Sequence, residues 1–280
     1  MKCEQEQRLR HIAVDLREDI VRIGHTCDFG VHLGGSLSLA EILSVLYFHV
    51  LRVKPDDPGW AERDRLVLSK GHGNLALCAA LARRGFFPFE GLDQFNQLNS
   101  PFSMHADHER VPGVEASAGA LGHGLPIALG MALSSRIEDA SWRTYCILSD
   151  GEMMEGSSWE AMMAAAHFGL DSLTAIIDRN RLSLDGHTRD VMTLEPLAEK
   201  CRAFGWTTLE VDGHDVTALM DALSAEVAQE GRPKVVIANT VKGSGVSFLE
   251  DRASSHFGHL TEEETHQARA ELEEMRAQIV

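Results

Sequence analysis

The chain has 280 residues, and 42 acidic against 26 basic side chains give a formal charge of −16. That balance excludes nucleic acid and anionic membrane surfaces as main partners, while leaving room for a local phosphate site. With 44% apolar and 24% charged residues, 24 Gly and 8 Pro, the composition is that of a globular chain with ample core, not a disordered or fibrous one.

No window approaches the ~18–20 apolar residues of a membrane span, and the charged start of the chain carries no apolar signal region. The five cysteines are scattered and form no CxxC pair, so they are expected as reduced thiols of a cytoplasmic protein. Residues 4–23 place Leu9, Ile12, Ala13, Leu16, Ile20 and Ile23 at helical spacing. Ser38 and Glu41 have capping-box spacing before the apolar run Ile42 to Val50. A Pro- and Asp-rich loop (54–59) leads to a short apolar strand at 65–69. Lys70-Gly-His-Gly73 and a small-residue helix at 75–81 follow.

Residues 86–124 show little periodicity. A stretch this long is expected to be functional, since it holds His105, His108 and His123, with His72 at its upstream edge. Helices at 125–137, 157–168, 195–204 and 216–229 then alternate with strands at 144–148, 173–177, 207–211 and 235–239. Thr261 and Glu264 cap a charged final helix. This alternation predicts an α/β fold, a parallel sheet flanked by helices, in a single domain over 1–280.

Asp150 follows one expected strand directly, and Asn180 follows the next, thirty residues on. A strand–helix–strand unit of that length makes a right-handed crossover between parallel strands. Both residues then stand at carboxyl ends of strands, where open α/β sheets bind ligands. A carboxylate and an amide oxygen, completed by diphosphate oxygens, suit magnesium or calcium. A lone Asp-Gly after a strand is usually a turn. Here Asp150-Gly151, Glu155-Gly156, Glu160-Ala161, Asp178 and Asn180 occur together, a far more restrictive pattern.

That pattern resembles the thiamine-diphosphate motif that begins GDG and ends in Asn, with Ser149 at the place of the first Gly. Further blocks resemble the transketolase family over about residues 10–260. They are Val31-His-Leu-Gly-Gly-Ser-Leu37, Leu66-Val-Leu-Ser-Lys-Gly-His72, Met104-His105, Val111-Pro-Gly-Val-Glu115 and Gly119-Ala-Leu-Gly-His-Gly124. The last are Val241-Lys-Gly-Ser-Gly245 and Ser255-His-Phe-Gly-His259. His123 stands where Gln is usual.

The resemblance implies a diphosphate-domain fold that binds thiamine diphosphate with Mg or Ca. Asp150, Asn180 and the Leu182 carbonyl would hold the metal. Gly151, Gly119, Leu121 and Glu155 would line the cofactor. His32, His72, His105 and His256 would handle substrate oxygens and protons, with His259 the competitor of His256. Imidazole suits proton traffic near neutral pH. An isolated His is more often structural, so His25, His49, His167, His187 and His266 receive no role, and His105 with His108 lacks a third metal ligand. Lys70 and Lys242 are each open between phosphate contact and a solvated loop.

The family's glutamate that activates the aminopyrimidine lies in a second domain, and no block for it occurs here. The resemblance therefore implies the N-terminal subunit of a split transketolase. It would move a two-carbon ketol unit from a ketose, expected to be phosphorylated, to an aldose or aldose phosphate. Its partner would be a separate C-terminal subunit carrying the pyrimidine-binding domain, in a heterotetramer. Two alternatives stay open. One is a subunit of another thiamine-diphosphate carboligase; the His32, His72 and His105 blocks speak against a 2-oxo acid dehydrogenase. The other is a non-catalytic cofactor-binding subunit.

Overall fold

Five short apolar runs pair into one parallel sheet in the computed structural model, which describes residues 2–224 and 230–279. The strands are β1 (Arg65–Leu68), β2 (Thr144–Ser149), β3 (Leu173–Arg179), β4 (Thr207–Asp212) and β5 (Lys234–Asn239), in the order β1-β2-β3-β5-β4. All four pairings are parallel. The central strands are Val- and Ile-rich without polar alternation, because both faces of the sheet are covered. Tyr145, Ile147, Ile176 and Val236 point into one apolar layer. Cys146, Leu148, Ile177 and Ile237 point into the other.

The first layer is built by α1 (Lys2–Thr26), α3 (Ala40–Val45), α4 (Asn74–Arg84), α9 (Val216–Leu223) and α10 (Glu262–Ala277). The second takes α5 (Gly124–Ile137), α6 (Gly156–His167) and α8 (Leu197–Ala203). Two single turns, α2 (Gly34–Leu37) and α7 (Thr188–Val191), complete the helices described. The path from β3 to β4 passes β5 by way of α8, and the return to β5 runs through α9 on the opposite face. A right-handed crossover that reverses direction along a sheet must change face in this way.

Leu9, Ala13, Leu16, Ile20 and Ile23 are all buried on the inner side of α1, as their spacing requires. Thr261 does form its capping box with Glu264. The capping box expected at Ser38 does not form. The residue preceding α3 is Leu39, with no side-chain cap. Ser38 Oγ donates instead to the buried Asp178 Oδ2 at 2.7 Å, and Glu41 is buried against Arg17. The apolar run continues as a π turn over Leu46–Val50. Helix α8 starts only after Pro196, and residues 225–229 of the helix expected over 216–229 lie outside the described residues. The aperiodic stretch before α5 is pinned by buried Leu92, Phe95, Phe102, Val111 and Val114, which holds its loops in place beside the sheet's carboxyl edge. No helix among the described residues is long and apolar enough to cross a membrane.

Candidate active site

Strands β2 and β3 are neighbours with Ser149 opposite Asp178, so Asp150 and Asn180 leave the sheet side by side at its carboxyl edge. The ladder runs one step beyond the strand, since the Asp150 N–H donates to the Asp178 carbonyl at 3.1 Å. Asp150 is buried. Its Oδ1 accepts from the Gly151 N–H at 2.8 Å and its Oδ2 from the Arg181 N–H at 2.6 Å. Arg181 adopts φ 63°, a left-handed turn uncommon outside glycine. Next to it, the Leu182 N–H donates to Asn180 Oδ1 at 3.1 Å.

Behind Asp150 lies a second buried carboxylate, Asp178. It accepts from Ser38 Oγ, Thr240 Oγ1 and the buried Lys70 Nζ. Lys70 also donates to the Gly35 carbonyl at 2.8 Å. Burial alone would push the Asp178 carboxyl up, but Lys70 and the hydroxyls hold it below its usual range. Among the described residues no cation forms such an ion pair with Asp150. Burial, and then the charge of Asp178, push it up to about 7.

These residues fit a divalent metal. Asp150, Asn180 and the Leu182 carbonyl are hard oxygen donors, the type Mg and Ca take. Among the described residues no three His, Cys, Asp or Glu converge as a ready-made metal cage. An ion held by one carboxylate and neutral carbonyls keeps positions for ligand oxygens, and its charge would relieve the repulsion between Asp150 and Asp178. The cofactor side is basic. Lys242 Nζ, buried, donates to the Ser183 carbonyl at 3.3 Å. A Cβ added to Gly151 would stand 3.6 Å from Ser183 Cβ, so Lys242 and the Gly151 turn flank one residue. Burial, and next Lys70, lower Lys242 to about 8.

Four imidazoles gather beside this edge. The His32 ring centroid lies 6.0 Å from His72, 5.8 Å from His105 and 5.1 Å from His256, and His72 lies 5.2 Å from His256. They come from four separate segments: the chain before α2, the turn after β1, the loop at 105, and the 3-10 turn Ala253–His256. His259 is not among them. It stacks on His25 at 6.1 Å instead. Burial first, then neighbouring imidazoles and lysines, lower His32 to about 4. Burial and Lys242 do the same to His256, and burial with Lys70 takes His72 well below its usual value. These three rings are therefore neutral near pH 7, each with one donor and one acceptor nitrogen. Lys242 Nζ lies 3.2 Å from His256 Nδ1. An ammonium can only donate, so Nδ1 accepts and the His256 proton sits on Nε2.

The loop at 118–124 closes against this cluster. A Cβ on Gly71 would lie 2.7 Å from Gly119 Cα, and a Cβ on Gly119 would lie 3.1 Å from His105 Cγ. Backbone thus meets backbone at the wall of the site, which only glycine permits. Leu121 and Glu155 are exposed at its rim, with Glu155 beside Gly122. His108 and His123 are exposed as well. Glu152, which sequence reasoning passed over, is fully buried. It accepts from Ser69 Oγ, the Gly122 N–H at 2.8 Å and the Ser149 N–H at 3.2 Å, and so ties the loop to the ends of β1 and β2. Its signal in the sequence was only its place two residues after Asp150.

Residues 9–277 match the family model described as "Transketolase, thiamine diphosphate binding domain". The 6-deoxy-6-sulfo-D-fructose transketolase subunit SqwG of Clostridium sp. (strain MSTE9) is 43% identical over 274 residues, covering 96% of this chain and 98% of that protein. An apulose-4-phosphate transketolase subunit of Phocaeicola vulgatus is 41% identical, covering 92% and 91%. Among solved structures, the transketolase of Campylobacter jejuni superposes with a TM-score of 0.86 at 29% identity. It covers 100% of this chain, which spans 46% of that longer one.

Proposed function

The chain belongs to the transketolase family, and on that premise we propose that it is the N-terminal subunit of a two-subunit transketolase. In this reading residues 1–280 form one diphosphate-binding domain. The enzyme transfers a two-carbon ketol unit from a ketose phosphate to an aldose phosphate, in the cytoplasm. The observation that carries the reading is the convergence of His32, His72, His105 and His256 beside Asp150 and Asn180. The two relatives named as transketolase subunits are matched over nearly their whole length, which supports a division of the enzyme between chains.

Each residue has a task. Asp150, Asn180 and the Leu182 carbonyl hold magnesium, or calcium, against the diphosphate. Gly151 would contact that group through its backbone, and Lys242 would face its charge. Gly119 brings the 118–124 loop over the cofactor, with Leu121 and Glu155 at the margin. When bound, thiamine diphosphate supplies the electron sink for breaking and making the carbon–carbon bond. The protein's part is proton handling and orientation. His256 offers an Nε2–H to a substrate oxygen, and neutral His32 and His72 can each donate from one nitrogen and accept at the other. His105, exposed beside His32, meets the substrate from the open side. The partner is a C-terminal subunit with the pyrimidine-binding domain, in a two-plus-two assembly.

The test is reconstitution. The chain is purified with and without its co-purifying partner and assayed with Mg, thiamine diphosphate and either a ketose phosphate or a 2-oxo acid as donor. Ketol transfer by the pair, and none by the chain alone, is expected. Turnover of the 2-oxo acid alone would move the assignment to another carboligase. Activity of the isolated chain would remove the split-enzyme reading, and an inactive pair that still binds cofactor would make this a binding subunit. In the pair, His105→Ala is expected to cut turnover by about 10²-fold or more while cofactor affinity stays within threefold.

A further inference from the structure

Outside the histidine cluster, one buried ionic group has no task in the scheme above. Arg17 of α1 and Glu41 of α3 form a two-pronged pair, with N–O distances of 2.6 and 2.8 Å. His214, in the turn between β4 and α9, puts Nδ1 2.9 Å from Glu41 Oε2. Its other nitrogen, Nε2, accepts the backbone N–H of Val241 at 2.9 Å. Because a peptide N–H can only donate, Nε2 is unprotonated and the ring proton sits on Nδ1, directed at the Glu41 carboxylate. Arg17 Nε donates to the Ser244 carbonyl at 2.8 Å, and its Nη2 donates to Ser244 Oγ at 3.3 Å. The group therefore grips both ends of the turn 241–244. Between those ends stands Lys242, the cation beside His256 and Ser183.

We infer that His214 is a positioning residue: held by Glu41 and Arg17, it fixes the Val241 amide and thereby sets Lys242 against the cofactor's diphosphate. The turn needs such a grip. Gly243 and Gly245 both take left-handed φ, 82° and 90°, a conformation with little local preference of its own. Burial would push the Glu41 carboxyl up, but Arg17 and His214 hold it at about 2, so it is an anion at every working pH. A permanent anion keeps the proton on Nδ1 and leaves Nε2 free to accept.

This inference rests on the reading of Lys242 as a diphosphate contact, and its test separates the two. In His214→Gln the amide oxygen can take the place of Nε2 and keep the Val241 bond. In His214→Asn the shorter amide reaches Glu41 only, and His214→Phe reaches neither. Hydrogen exchange of the full chain is followed in peptides covering 240–245, with the β2–β3 peptides as internal reference. Thiamine diphosphate affinity with Mg is measured calorimetrically on the same samples. Exchange at 240–245 is expected to rise about tenfold in the Asn and Phe variants and to stay near wild type in the Gln variant. Equal protection in all three, or a rise shared by the reference peptides in Gln and Asn alike, overturns the clamp. If the turn loosens selectively while cofactor affinity is unchanged, the clamp stands and Lys242 loses its diphosphate role.

Discussion

Asp150→Asn separates the cost of an empty metal site from the benefit of a filled one. The wild-type carboxyl binds its proton more tightly when folded, at about 7 against 3.8 for the free group. Stability from this residue is thus fully present below 3.8 and is lost as the pH climbs toward 7. Over roughly pH 5.5 to 8.5 the loss amounts to about 1.5 pH units, or ~2 kcal/mol. Asparagine does not titrate. It keeps one oxygen for the Gly151 or Arg181 N–H and turns an amide toward the other, a cost of ~1–3 kcal/mol that does not depend on pH. The difference between variant and wild type should therefore shift in the variant's favour by ~2 kcal/mol across that range, or about 3–4 °C in melting temperature. The assay is thermal or urea unfolding in chelator-treated, cofactor-free buffer. Adding Mg and thiamine diphosphate should move the difference back in the wild type's favour at pH 8, because in the proposed site only the wild type gains the full binding energy. A variant–wild-type difference that is flat with pH would refute the argument that burial and Asp178 strain this carboxylate.

Three other outcomes follow from the same contacts. In the proposed site the Asp150 carboxylate holds the metal, so apparent Mg affinity in the presence of cofactor, measured by calorimetry, should level off above pH 7 and fall about tenfold per unit below it. A fall that begins only near pH 4 would show that the Asp150 carboxyl is not raised above its free value. Lys70→Met should leave Asp178 as an unpaired buried anion and lower the unfolding free energy by ~3–5 kcal/mol in urea titration; a loss under ~1 kcal/mol would show that the pair is not buried. Gly71→Ala should cost ~1–3 kcal/mol and weaken cofactor binding, since its Cβ meets Gly119 Cα at 2.7 Å, whereas Gly59→Ala, with nothing within 4 Å, should be neutral. Equal melting temperatures for the two alanine variants would count against the close backbone contact.

The sheet was legible because its strands are buried on both faces, so runs such as those around Ile176 and Val236 carry their own signature. Asp150 and Asn180 were placed by the same logic, as polar residues just beyond the carboxyl ends of two such runs. The misreadings arose where distant partners outcompeted local pattern. Ser38 and Glu41 have cap spacing, yet Asp178, 140 residues away, takes the hydroxyl, and Arg17 takes the carboxylate. Glu152 and Glu155 look alike in the sequence, but only Glu152 is turned inward to Ser69 and Gly122. His256 and His259 are three residues apart in an irregular segment, and only its folded path brings one to His32 and sends the other to His25. Burial of Lys70 and Lys242 depends on how loops close over the sheet edge, which no local spacing encodes.

The register of β2 on β3 has a consequence for how this chain can change over time. The proposed metal ligands are rooted in the ladder itself, through Ser149 opposite Asp178 and the Asp150 amide on the Asp178 carbonyl. The histidines, by contrast, hang on four independent loops. Anchorage and selectivity are thereby assigned to different parts of the backbone. Substitutions at exposed rim positions such as Leu121 and Phe257 can reshape what enters without disturbing the strands that hold the charge. A scaffold divided in this way is suited to acquiring new sugar substrates by loop exchange, and chimaeras that transplant rim segments between relatives should retain cofactor binding more often than they retain substrate preference.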